Sequence, residues 1–169
     1  MQHCMLCFIH FTLGQNVVVM AYNVHDIAKK LILLADIDTA NGGDNLTNMK
    51  LQKLLYYEQG FHLAAFGSPL FDAEIEAWMY GPVVPCVYAE YSRFGRNSIP
   101  VPDDEQVFLP DAEERLFIDV YDTYKDLSAI GLMKETHNET PWKTTMPHKR
   151  GSVIPQSSMQ EFFKTKLDE

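Results

Sequence analysis

The segment "TNMKLQKLLYYEQGFHLAAFG", from Thr47 to Gly67, constrains the fold more than any other part of the chain. Thr47 is suited to cap a helix, and Gly67 is suited to end it. Apolar residues fill one stripe and much of the remaining circumference: Met49, Leu51, Leu54, Leu55, Tyr56, Tyr57, Phe61, Leu63, Ala65 and Phe66. Because a helix that is apolar nearly all round is normally enclosed by other elements, this segment predicts the central helix of a domain.

Shorter periodic patterns predict the elements that pack around this helix. Apolar residues recur at helical spacing after Asn23 and again after Asp111, where acids occupy the opposite face. Further helices are predicted for residues 85–94, after Ser128 and within the closing "SSMQEFFKTK".

One stretch has a different period. Ile75, Ala77 and Met79 alternate with other residues, which indicates a short extended run that we expect Gly81-Pro82 to end. The run is too short to form a sheet of its own. The predicted fold class is therefore mainly α, or α+β with a minor strand or hairpin component, in a single compact helical domain.

The charge distribution limits the classes of partner. The formal net charge is -9, and many of the acids fall between residues 103 and 126. Since such a field repels phosphate, we predict no direct nucleic-acid binding. A basic protein partner is favoured, and Glu113 and Glu114 are the acids we expect to meet it. A solvated acidic face is the commoner meaning of such a run.

Cysteine usage points to a reducing compartment. Cys4, Cys7 and Cys86 cannot form the paired framework of a small secreted domain, so we predict a cytoplasmic protein. Cys86 follows Pro85 on a predicted helix, where we expect a packed thiol.

Residues 1–20 are apolar but fit neither a signal peptide nor a membrane span. They contain no Lys or Arg, and polar residues interrupt them. Met20 begins a stretch that resembles a natural start, so we interpret the first residues as an upstream extension or a misassigned start and place the domain at residues 21–169. The CxxC of Cys4 and Cys7 is flanked by histidines, but no second ligand pair follows, and we predict no metal.

The stretch "KETHNETPWK", residues 134–143, raises the question of catalysis. His137 and Glu139 could do acid–base chemistry, and His62 and Glu58 are one turn apart on the central helix. No activated nucleophile, phosphate-binding loop or cofactor motif joins them. We therefore predict no enzyme and no cofactor, and we interpret this stretch as a structural clasp at a helix end and restart.

These pieces together resemble the Panacea domain, the SocA-like antitoxin family that also includes phage-associated GepA-like proteins. The resemblance rests on residues 46–95, in which "KLQKLLYYEQG" precedes "EAWMYGPV" by about twenty residues, and on "ETHNETPW". The positions that match the family pattern, which we expect to be mainly structural, are Lys50, Leu51, Gln52, Lys53, Leu54, Tyr57, Trp78, Tyr80, Gly81, Pro82, His137, Pro141 and Trp142.

The resemblance implies an antitoxin that binds and neutralises a cognate toxin, which is typically encoded by an adjacent gene and often lies in phages or mobile elements. It also implies an alternative, a proteolytic adaptor that delivers its toxin to the ClpXP protease, for which the tail "KTKLDE" would be a docking element. Self-association is compatible with both interpretations, and no membrane partner is expected.

Aromatic residues favour interface hot spots, so the predicted toxin-contact residues are Trp78, Tyr80, Tyr88 and Tyr91. The alternative is that most of these rings belong to the core. A hypothesis of a different class is a hydrolase that uses His62 and His137 with Glu58 or Glu139, which requires those side chains to converge.

Overall fold

The computed structural model describes residues 21–40, 45–102, 107–146 and 151–167. Residues 1–20, on which the extension and the CxxC were predicted, lie outside that range. Within it the chain forms seven α-helices and a small sheet: α1 Val24–Ala40, α2 Asn48–Phe66, β1 Glu76–Trp78, β2 Gly81–Val83, α3 Pro85–Tyr91, α4 Asp111–Tyr124, α5 Ala129–Asn138, α6 Thr140–Thr145, β3 Ser152–Val153 and α7 Gln156–Leu167. The prediction of a mainly α fold with a minor strand component is confirmed.

Helix α2 is the central helix. The Thr47 side chain accepts from the Lys50 backbone N–H, and Gly67 ends the helix in the left-handed region at φ 72°. Every residue from 50 to 60 is buried, and α1, α4, α5 and α7 pack around the helix. Gly60 allows α7 to approach closely, because a Cβ on this residue would lie 2.1 Å from the Phe163 ring.

Polar side chains cap the starts of α1 and α5. The Asn23 side chain accepts from the backbone N–H of His25 at the start of α1, and Ser128 accepts from Gly131 at the start of α5. At the start of α4, however, Pro110 occupies the N-cap position without a side-chain hydrogen bond, and Asp111 is the first helical residue. A carboxylate in the first turn still interacts favourably with the helix dipole.

The small sheet has the order β2-β1-β3, and both pairings are antiparallel. We expected Gly81-Pro82 to end the extended run, and this was wrong. The chain turns at Met79 and Tyr80, and Gly81–Val83 then pairs back with Glu76–Trp78. The third strand, Ser152–Val153, comes from a segment that lacks any alternating pattern.

Among the residues that the structure describes, no helix combines the length and the hydrophobicity needed to cross a membrane.

Candidate functional site

The turn of the β1–β2 hairpin exposes large apolar side chains. Tyr80 is 64% exposed and Met79 is 52% exposed, and Tyr88 on α3 is exposed beside them. The Trp78 ring packs edge-on against Tyr88 with 5.0 Å between the ring centroids, and its Nε1 donates to Glu76 Oε2 at 2.7 Å. We call Trp78, Met79, Tyr80 and Tyr88 the aromatic surface.

Tyr91, the fourth predicted contact residue, is placed differently from the other three. Its side chain is buried and belongs to the core cluster, with its ring stacked near Phe94. We therefore leave Tyr91 out of the aromatic surface and treat it as a support for α3. The exposure of Met79 was not predicted, because the sequence showed no turn between Trp78 and Gly81.

The stretch that we interpreted as a clasp holds the hairpin from behind. Trp142 Nε1 donates to the backbone carbonyl of Trp78 at 2.9 Å. The His137 ring stacks on the Trp142 ring at 4.0 Å between centroids, and it hydrogen-bonds to the Met79 backbone. Because both contacts end on the main chain of the turn, they fix the turn whatever side chains it carries.

The central helix supplies the second half of the support. Lys53 Nζ donates to the Pro82 carbonyl at 2.9 Å, and the Gln52 side-chain oxygen Oε1 accepts from the Val84 backbone N–H at 2.9 Å. Gly81 has φ 99°, and a Cβ there would lie 2.7 Å from Lys53 Cε. Glycine alone adopts this positive φ without strain and leaves room for the Lys53 side chain.

Burial determines the protonation of the two basic groups behind the hairpin. Desolvation lowers the pKa of Lys53 to about 7. Desolvation also lowers the pKa of His137, and the nearby Lys53 charge lowers it further. Both groups are thus biased toward their neutral forms near neutral pH.

The other positions that match the family pattern occupy structural places. Leu51, Leu54 and Tyr57 are core residues, and Pro141 is buried at the first turn of α6. Lys50 Nζ donates to the Lys125 carbonyl, which ties α2 to the end of α4.

A cavity of about 240 Å³ opens beside the aromatic surface. Its wall is formed by α2, the hairpin and α3, through Asn48, Met49, Gln52, Lys53, Trp78, Met79, Tyr80, Val83, Tyr88, Ser92 and Gly95. Apart from the buried amine of Lys53 this lining carries no ionisable acid or base that is charged at neutral pH.

The residues of the hydrolase hypothesis do not converge. His62 lies nine residues after Lys53 on α2, which places it about 13.5 Å further along the helix axis. His62 Nδ1 donates to the Ser68 carbonyl at 2.8 Å, and its Nε2 lies 3.7 Å from Glu113 Oε2. His137 is stacked at the hairpin instead.

The two acids of that hypothesis are also separated. Glu139 accepts from the Tyr57 hydroxyl at 3.0 Å, and burial raises the pKa of Glu139 to about 7. Glu58 is fully enclosed, and desolvation raises its pKa well above the usual value while Lys30 opposes the rise. Within the described residues no group of three or more His, Cys, Asp or Glu side chains could hold a metal ion.

Two further expectations are corrected by the structure. Cys86 is exposed rather than packed, because it lies on the outer face of the short helix α3. Glu114 pairs with Lys30 at 2.7 Å, and the Glu113 side chain is 18% exposed beside His62. Neither acid is a free surface charge.

The comparisons with known proteins bear on this site. The model of the family described as "Antitoxin SocA-like, Panacea domain" matches residues 51–143, which is more than half of the chain. The chain belongs to this family. The matched region contains the hairpin, Lys53, His137 and Trp142, so the family pattern includes the whole support of the aromatic surface.

A curated relative is Antitoxin SocA of Caulobacter vibrioides (strain NA1000 / CB15N). It is 46% identical over 54 residues, which cover 32% of this chain and 29% of that protein's length. No solved structure matches the chain.

Proposed function

We propose that this protein is an antitoxin that neutralises a cognate toxin by binding it at the aromatic surface. Membership of the SocA-like antitoxin family supports the role. The observation that carries the location is the exposed turn at Met79 and Tyr80, which four groups hold from behind.

The aromatic surface has the properties of an interface centre. Exposed clusters of large apolar side chains mark interaction sites, and tyrosine and tryptophan are favoured at hot spots. Because the hairpin main chain is fixed by Trp142, His137 and Lys53, little conformational entropy is lost when a partner binds it. A rigid aromatic turn is therefore suited to an affinity high enough for neutralisation.

The acidic face of α4 is the second element of the proposal. Since Glu114 pairs with Lys30 and Glu113 lies beside His62, the exposed acids that remain for a basic toxin include Asp119 on α4 and Asp126 in the turn that follows it. Reversing these two charges should weaken toxin association mainly through its rate, and the effect should fade at high salt. Salt-independent binding would remove the electrostatic part of the proposal.

The test is growth rescue in a bacterial host that expresses the product of the adjacent gene with and without this protein. Tyr80→Ala combined with Tyr88→Ala should abolish rescue while leaving the circular dichroism spectrum unchanged. Phe108→Ala is the matched control, because Phe108 is 84% exposed and does not line the cavity. Rescue by the double variant would refute the location.

The same assay separates masking of the toxin from its degradation. Rescue with and without ClpXP would indicate stoichiometric neutralisation, whereas rescue only with ClpXP would indicate a proteolytic adaptor. A neighbouring gene whose product is not toxic would overturn the antitoxin proposal itself.

A further inference from the structure

The cavity beside the aromatic surface is small for a metabolite. Pockets for small molecules and cofactors usually measure about 300–1,000 Å³, and this cavity measures about 240 Å³. It adjoins Trp78, Met79, Tyr80 and Tyr88, which are the four residues of the aromatic surface. Its size and place therefore suit one side chain of a protein that covers that surface.

Lys53 is the chemically distinctive residue of the cavity lining. Its side chain is 1% exposed, and its Nζ donates to the Pro82 carbonyl. None of the ion pairs among the described residues involves Lys53. The Lys53 charge acts on His137, which is itself a base and cannot neutralise it. Lys53 thus lines the cavity, and no carboxylate pairs with it among the residues that the structure describes.

A buried amine of this kind favours an anionic guest. Buried ammonium groups are stable when they are paired, and otherwise they shift toward the neutral form. Burial lowers the pKa of Lys53 to about 7, as expected for a buried amine that has no carboxylate partner. A carboxylate that enters the cavity would restore the ammonium form and gain a charge-assisted hydrogen bond in a dry surrounding.

Building on the proposed function, we propose that the cavity receives a glutamate side chain of the bound protein partner, whose carboxylate pairs with Lys53. A glutamate enters with its carboxylate foremost, so its charge reaches the bottom of the cavity. Its methylene groups then lie against the apolar walls formed by Met49, Val83 and Tyr88. The partner thus presents an acidic anchor at this position, even if the rest of its surface is basic.

The first experiment uses the protein alone, with two small probes that differ in one group. N-acetylglutamate N-methylamide and N-acetylglutamine N-methylamide are titrated into the protein, and the indole N–H resonance of Trp78 is followed by NMR. The glutamate probe should bind about tenfold more tightly than the glutamine probe, as expected for a hydrogen bond to a charged group.

Lys53→Met tests the residue itself. The variant keeps the apolar stem and should lose the preference for the glutamate probe. If this variant does not fold, the same titration of the wild-type protein at several pH values tests the role of Lys53. The preference for the glutamate probe over the glutamine probe should shrink as the pH rises and Lys53 deprotonates in the bound state. Equal binding of the two probes, no binding of either, or an unchanged preference in a folded Lys53→Met variant would overturn the proposal.

This titration is independent of toxin neutralisation. A preference for the glutamate probe together with failed rescue would refute the antitoxin proposal and leave the cavity assignment intact. Successful rescue without any preference would refute only the cavity assignment.

Discussion

Replacing Trp142 by Phe tests whether the clasp holds the hairpin. The substitution removes the indole N–H that donates to the Trp78 carbonyl at 2.9 Å. The substitution leaves a part-buried carbonyl without its donor, which costs about 1–3 kcal/mol in total. We expect the free energy of unfolding to fall by about 1–3 kcal/mol, which lowers Tm by about 2–12 °C in a chain of this size.

Trp78→Phe is the matched control, because it deletes the same group in the same residue type. The Trp78 indole donates to Glu76 at the edge of the aromatic surface, where water can replace the lost donor. We therefore expect a loss of about 1 kcal/mol or less. The chain contains two tryptophans, so each variant keeps the other ring as its fluorescent reporter.

Urea unfolding of the two variants, followed by circular dichroism and by the remaining tryptophan, measures the difference. Hydrogen exchange at Gly81 and Val83 shows whether the hairpin opens locally before the domain unfolds. If Trp142→Phe is no more destabilising than Trp78→Phe and hairpin exchange is unchanged, the clasp does not fix the turn.

Three other perturbations follow from the packing and the protonation states. Gly60→Ala should destabilise the domain by about 1–3 kcal/mol in thermal unfolding despite its better helix propensity, because its Cβ would lie 2.1 Å from Phe163. Gly131→Ala, whose Cβ would meet nothing closer than 3.4 Å, should be neutral or stabilising, and equal results for the two would contradict the packing. Below pH 4.5 Glu139 is protonated in both the folded and the unfolded state, so its raised pKa costs no stability there. Between pH 4.5 and about 7 burial opposes ionisation in the folded state alone, so the wild type loses stability as the pH rises. The gain from Glu139→Gln in urea unfolding should therefore grow across that range to about 3 kcal/mol and stay flat above it. Above pH 10.5 Lys53 is neutral in both the folded and the unfolded state, so its lowered pKa costs no stability there. As the pH falls from 10.5 to about 7 the unfolded state alone gains the proton, so the stability of Lys53→Met relative to wild type should rise by about 1.4 kcal/mol for each pH unit. A constant difference would contradict the burial argument.

Much of the fold could be predicted because its signals are local. The cap at Thr47, the stop at Gly67 and the apolar circumference between them identify α2 and its central place without any knowledge of its neighbours. The strand β3 could not be predicted, because Ser152–Val153 is extended only through its pairing with Glu76 and Ala77. A two-residue strand has no period of its own.

The exposure of the proposed contact residues could be predicted only in part. Aromatic residues in the sequence indicated the hairpin and α3, but a list of aromatic positions does not say which rings face outward. Tyr88 and Tyr91 lie three residues apart on α3, yet Tyr88 is exposed and lines the cavity while Tyr91 is buried in the core cluster. Lys53 matched the family pattern, but nothing in the sequence indicated that it is buried, because its burial comes from the hairpin that folds over it.

The hydrogen bond from Trp142 to Trp78 joins residues 64 positions apart in the sequence. During synthesis the hairpin is therefore made before the tryptophan that holds it. Ribosomes add about 5–20 residues per second, so the clasp is made roughly 3–13 s after the hairpin sequence. Until then the turn lacks half of its support. A nascent or truncated chain that ends before His137 therefore carries every residue of the aromatic surface, while its hairpin is held from behind by Lys53 and Gln52 alone.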